Sequence, residues 1–109
     1  MKIDLTPKNL FLISSVSAGI PDTVFEGRSR NTTFEFRAGF VRVQGRLMRK
    51  PRTLLTRQWG KCAESLVFPF GLSFLEELIS SYNVGYELEL EANPDLEKAL
   101  RIRSEIVTV

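Results

Sequence analysis

Between Thr32 and Met48 apolar and polar residues alternate with a period of two, and that period commits the middle of the chain to β structure. Phe34, Phe36 and Ala38 fall on one side, with Glu35 and Arg37 on the other. A strand turns successive side chains to opposite faces, whereas a helix repeats its apolar stripe every three or four residues, so only a half-buried strand fits. The phase shifts at Gly39, after which Val41, Val43 and Leu47 alternate with Arg42, Gln44 and Arg46. A bulge or tight bend at Gly39 is expected, because glycine marks such places in strands.

The rest of the chain reads around that centre. Ile3 and Leu5 alternate with polar neighbours as a short strand ended by Pro7, and the apolar run Leu10 to Val16 reads as another strand. Thr23 to Glu26 is strand-like and meets breakers from Gly27 to Asn31. Arg49-Lys50-Pro51-Arg52 has the residues of a hairpin tip, with Thr53 to Trp59 returning as the paired strand. Glu64 to Phe68 forms a further strand closed by Pro69. One amphipathic helix follows at about 73–82: Ser73 and Glu76 have capping-box spacing, and Phe74, Leu75, Leu78, Ile79 and Tyr82 share a face. Tyr86 to Glu91 alternates strictly, Asn93-Pro94 opens a short helical turn near 94–100, and Arg101 to Val109 ends the chain as a strand. The expected architecture is α+β: a mainly antiparallel twisted β-sheet or half-barrel with one helix packed on it.

A chain of 109 residues with eight phenylalanines can fill one core, so residues 1–109 are read as a single domain. No stretch approaches the roughly 20 apolar residues that span a bilayer, which argues against a membrane helix or a signal peptide. The one cysteine, Cys62, cannot form an internal disulfide, and a cytoplasmic location is expected.

The net charge of +2 conceals strong sorting. Residues 28 to 61 hold ten basic residues against one acid, Glu35, a net of +9, while residues 64 to 109 carry a net of −6. Such polarity bears on partners and association rates. Arginine outnumbers lysine eight to two in the basic window, and its guanidinium forks onto phosphate oxygens with two bonds. The candidate nucleic-acid site therefore comprises Arg37, Arg42, Arg46, Arg49, Lys50, Arg52, Arg57 and Lys61, with Phe40 and Trp59 as stacking platforms for bases. Strand-borne arginine with a basic hairpin tip resembles the architecture of small β-sheet nucleic-acid binders in which a strand runs into a sheet-covering helix; the extra C-terminal strands depart from it. That resemblance implies sequence-tolerant binding of DNA or RNA through the phosphate backbone, and a homodimer pairing free strand edges would lengthen the groove.

Rival readings use the same residues. A small inhibitor or adaptor could dock on an acidic protein surface, or in the nucleic-acid channel of a larger complex, and its two-signed charge would orient the encounter. Cationic faces also simply solvate a domain or keep sheet edges apart. Glu87, Glu89 and Glu91 share one strand face, which suits a hard cation in a magnesium-dependent nuclease but suits equally a solvated face paired with Arg101 and Arg103. With no histidine the chain lacks the commonest general base and any histidine-containing triad or zinc site. Cys62 follows Lys61, yet begins an apolar strand and reads as core filler. No glycine-rich phosphate loop is present. The expectation is a binding protein without catalytic residues, metal or cofactor.

Overall fold

The computed structural model describes residues 1–20, 24–48, 65–69 and 71–103. Among these residues six strands form one sheet: β1 (Lys2–Asp4), β2 (Phe25–Ser29), β3 (Thr32–Arg37), β4 (Phe40–Gln44), β5 (Ser65–Pro69) and β6 (Glu87–Leu90). Their order is β1-β6-β2-β3-β4-β5, and every neighbouring pair is antiparallel. Among the described residues the sheet is not closed into a barrel, and β1 and β5 stand at the ends of this order. Three helices, α1 (Pro7–Ala18), α2 (Leu72–Ser81) and α3 (Pro94–Arg103), complete the α+β architecture.

The period-two pattern decides which face the helices cover. Phe25, Phe34, Phe36, Val41, Val43, Leu66, Phe68, Leu88 and Leu90 are all buried at alternate strand positions. Against them pack Leu10 and Ile13 of α1, Leu75 and Leu78 of α2, and Leu96 and Leu100 of α3. The Phe34 and Phe36 rings lie nearly parallel with centroids 6.1 Å apart. Truncating either to alanine is expected to cost about 3–5 kcal/mol through lost transfer energy and the cavity left behind. α1 lies over β3 and touches both other helices, and α2 lies against β5. No helix among the described residues is long and apolar enough to cross a membrane.

Several expectations need correction. Leu10 to Val16 is not a strand but the body of α1. Thr6 caps that helix by accepting from the Asn9 N–H at 3.1 Å, and Pro7 occupies its first turn, where a missing N–H costs nothing. Its buried positions are Leu10, Ile13, Ser14, Val16 and Ser17, and two of these five are serine. Hydrophobicity alone therefore carries little of the period.

Of the two alternatives at Gly39, the chain makes the tight bend and not the bulge, so Thr32 to Gln44 is a hairpin. Arg37 pairs with Phe40, so Ala38 and Gly39 are the two-residue turn, with Gly39 at φ 90. Gly27 does not break β2; it lies inside it, buried, where an added Cβ would stand 3.0 Å from Leu88 Cδ1. The main helix begins at Leu72 after Gly71 with no side-chain cap, so the Ser73/Glu76 box does not form. Asn93 does cap as expected, its Oδ1 accepting from the Asp95 and Leu96 N–H groups, but the helix it starts runs to Arg103. Arg101 consequently sits on α3 and not on a last strand beside the glutamates. The expected hairpin tip at 49–52, the return strand 53–59 and residues 104–109 lie outside the described residues.

Candidate nucleic-acid interface

Among the described residues the helices all pack on one face of the sheet, and the ladder register lays out what stands on the other. On β4 the outward positions are Phe40, Arg42 and Gln44, the first half-buried and the other two exposed. Successive members of this row are separated by two residues, or about 7 Å. Across from them on β3 stand Arg37, Glu35 and Thr33, paired respectively with Phe40, Arg42 and Gln44. On the other flank, Phe40 faces Pro69 and Arg42 faces Val67 of β5. Arg46 is exposed just beyond the end of β4.

Charge on this face is graded. β4 carries no acid and β3 carries only Glu35, whose Oε2 accepts from Arg37 Nη2 at 3.1 Å. Acids gather on the far side: Glu26 on β2, Glu87 and Glu89 on β6, Asp4 on β1 and Glu91 just past β6. Glu26 stands directly opposite Glu35, a like-charge pairing that is unfavourable in a ladder. Part of that cost is offset by the Arg37 pairing of Glu35. Glu91 is turned to backbone duty, its Oε1 accepting from the Glu26 N–H at 3.0 Å. Arg28 interrupts the acids, facing Glu89 on one side and Thr33 on the other. Around it the face forms a concavity of about 450 Å³, bordered by Glu26, Glu35, Glu89 and Glu91.

Glu89 also binds the N-terminal ammonium at 2.8 Å. That hydrogen bond, reinforced by the charges of the ammonium and Lys2, holds its carboxyl below the usual 4.5. Among the described residues no group of three acids, cysteines or histidines is placed to hold a metal ion.

Of the residues singled out from the sequence, the fold brings Arg37, Phe40 and Arg42 together on adjacent strands, with Arg46 continuing the line. Arg49, Lys50, Arg52, Arg57, Trp59 and Lys61 lie outside the described residues. Arg30, part of the same basic window, is drawn elsewhere. It turns the β2–β3 hairpin at φ 54, and its Nη1 donates to Asn83 Oδ1 at 2.8 Å, clipping the α2–β6 connection to the sheet. Thr32 Oγ1 and Ser29 Oγ strengthen the same clip through Asn83 O and the Gly85 N–H.

Alternation already set Gln44 beside Arg42 and Arg46, and Glu35 beside Arg37, but Gln44, Thr33 and Glu35 were not among the candidate site residues. The signal for all three was the turn: once Ala38-Gly39 is taken as a two-residue hairpin, their places follow from the register. No protein-family model, curated protein or solved structure matches this chain.

Proposed function

We propose that this chain binds nucleic acid without strong sequence preference, contacting backbone phosphates through the β3–β4 side of the sheet face opposite the helices. The observation that supports it is the outward row of β4, where Phe40, Arg42 and Gln44 follow one another with no carboxylate on the strand. Arg37, Arg42 and Arg46 are the phosphate ligands, neutralising charge and releasing counterions. Phe40 offers a ring against which an unstacked base gains about 1–3 kcal/mol. In the sequence the arginine series continues past Arg46 into Arg49, Lys50, Arg52, Arg57 and Lys61. The role is binding and not catalysis, in the cytoplasm, and a homodimer joined at sheet edges would extend the footprint.

The acids on β6 do not forbid this. They stand three strand spacings from β4, about 14 Å, beyond the Debye length of about 8 Å at physiological ionic strength. Electrophoretic shift of labelled oligonucleotides at two salt concentrations tests the reading. Retention at low salt that weakens steeply with added salt, and weakens further in Arg42→Ala, is expected. No retention at low salt refutes it.

A second reading is favoured by the two-signed face itself. An inhibitor or adaptor could set the arginine row against an acidic protein surface while the glutamate concavity takes a basic segment of the same partner. Specific protein capture that survives nuclease treatment and is lost in Arg42→Glu supports this reading over the first.

A further inference from the structure

One carboxylate stands inside the proposed phosphate site, and it points to which nucleic acid the site takes. Glu35 lies directly opposite Arg42 on the β3–β4 ladder, at the cross-strand distance of about 5 Å. A carboxylate that close to bound phosphate costs affinity through repulsion, and Arg37 offsets part of its charge by donating to Oε2 at 3.1 Å. Resting on the reading just given, we infer that Glu35 accepts a hydrogen bond from a ribose 2′-hydroxyl, so that the site prefers RNA to DNA.

The side chain has what that role needs. An ionised carboxylate is an acceptor only, with lone pairs on two oxygens. Arg37 occupies Oε2, and among the described residues Oε1 has no hydrogen-bond partner. The bond to Arg37 holds the carboxylate in place, and 28% of the Glu35 side chain is still accessible. Glu35 is therefore a fixed acceptor that a ligand can reach.

Its place suits the sugar. The 2′-hydroxyl stands on the sugar next to the phosphate, so a phosphate on Arg42 brings a ribose over a neighbouring strand. On the β3 side Glu35 borders the 450 Å³ concavity together with the neutral Thr33 and Gln44. On the β5 side Arg42 faces Val67, whose side chain offers no acceptor. A deoxyribose meets Glu35 with no hydroxyl, and the carboxylate then only repels. A ribose returns a charge-assisted hydrogen bond, and the 2′-hydroxyl is the group by which a protein tells RNA from DNA at a given site.

Competition anisotropy at low salt tests the inference, with single strands of one length and one sequence of A and C, made as RNA, as DNA and as 2′-O-methyl RNA. RNA should bind about fivefold more tightly than DNA, the worth of one hydrogen bond on a partly exposed surface. The 2′-O-methyl strand keeps the oxygen but has no proton to donate, and it should bind no better than DNA. In Glu35→Ala the ratio of RNA to DNA affinity should fall to about one, while Glu35→Gln, which keeps a neutral acceptor, should hold an intermediate ratio. Both variants lose the repulsion of phosphate on the two strands alike, so the ratio isolates the hydroxyl. Both also relieve the like-charge pairing with Glu26 at an outward strand position, and the fold should tolerate them. RNA bound no more tightly than DNA by the wild-type chain, a 2′-O-methyl strand bound as tightly as RNA, or a ratio that Glu35→Ala leaves unchanged overturns the inference while leaving nucleic-acid binding intact. Absence of binding to every strand overturns the parent reading as well.

Discussion

Replacing Glu35 by glutamine removes the one carboxylate on β3 and β4, and the proposed site should bind phosphate more tightly for it. In the folded chain the Glu35 carboxylate holds Arg37 at 3.1 Å and faces Arg42 across the ladder. A phosphate taken up by these two arginines must share them with that carboxylate at roughly the cross-strand distance, about 5 Å. Two unit charges so placed in water repel by about 0.8 kcal/mol, a factor of about four in affinity, and screening at ~0.1 M salt reduces it toward twofold. Glutamine keeps the shape of the side chain on an outward strand position, so the fold should be undisturbed. Fluorescence anisotropy with a labelled single strand at low and moderate salt measures the effect, with Glu87→Gln as the control. Glu87 stands on β6, beyond the reach of a phosphate on β4, and its loss should leave single-strand affinity unchanged. An affinity for Glu35→Gln that is equal to or weaker than wild type at low salt, in a folded variant, refutes the reasoning.

Other consequences concern the fold. An alanine side chain at Gly45 would come within 2.8 Å of Thr32 Oγ1 and 3.1 Å of Thr32 Cα, and urea unfolding should show a loss of about 1–3 kcal/mol. At Gly19 the added Cβ meets only Val16 O at 3.4 Å, with φ −84, so Gly19→Ala should instead gain about 0.4–1 kcal/mol. Among the described residues the buried Ser14 hydroxyl finds no hydrogen-bond partner, and Ser14→Ala should raise stability by about 1 kcal/mol in the same assay. Glu89 has its folded pKa lowered from 4.5, so its contribution to stability is complete above that value and is lost as pH falls through the depressed one. Carboxyl NMR titration should show the low midpoint and its return toward 4.5 when the N-terminal amine is acetylated; a midpoint indifferent to acetylation contradicts the assignment.

The strands were legible because their signal is local. Alternation at 34–37 and at 86–91 fixes which side chains face inward whatever pairs with them, and the α+β outcome follows. α1 was not legible, because its buried face spends two of its five positions on serine. Its best signals were chemical, with Thr6 able to cap and Pro7 able to start a helix. The Ser73/Glu76 pair shows the reverse error: spacing alone suggested a capping box, yet Ser73 lies inside α2 and cannot accept there as an N-cap.

The candidate site was half legible. That arginines crowd residues 28 to 61 is plain in the sequence, but which of them share a surface is a matter of register. Alternation left open whether Gly39 marks a bulge or a tight bend, and only the bend, a two-residue hairpin turn, makes Glu35 and Arg42 neighbours across the ladder. Nor could composition reveal that the acids of β2 and β6 stand on the same face as the arginines. That juxtaposition depends on β6 inserting between β1 and β2, a long-range pairing with no local trace.

Backbone amide shift mapping with a single-stranded oligonucleotide tests the central claim most directly, because it reports which surface is touched. Titration should move the amides of Thr33 to Gln44 around the β3–β4 hairpin and leave β1, β6 and the helices in place. Shifts concentrated on α1 or α3, or a spectrum unchanged at millimolar oligonucleotide and low salt, would contradict the assignment of phosphate binding to this face.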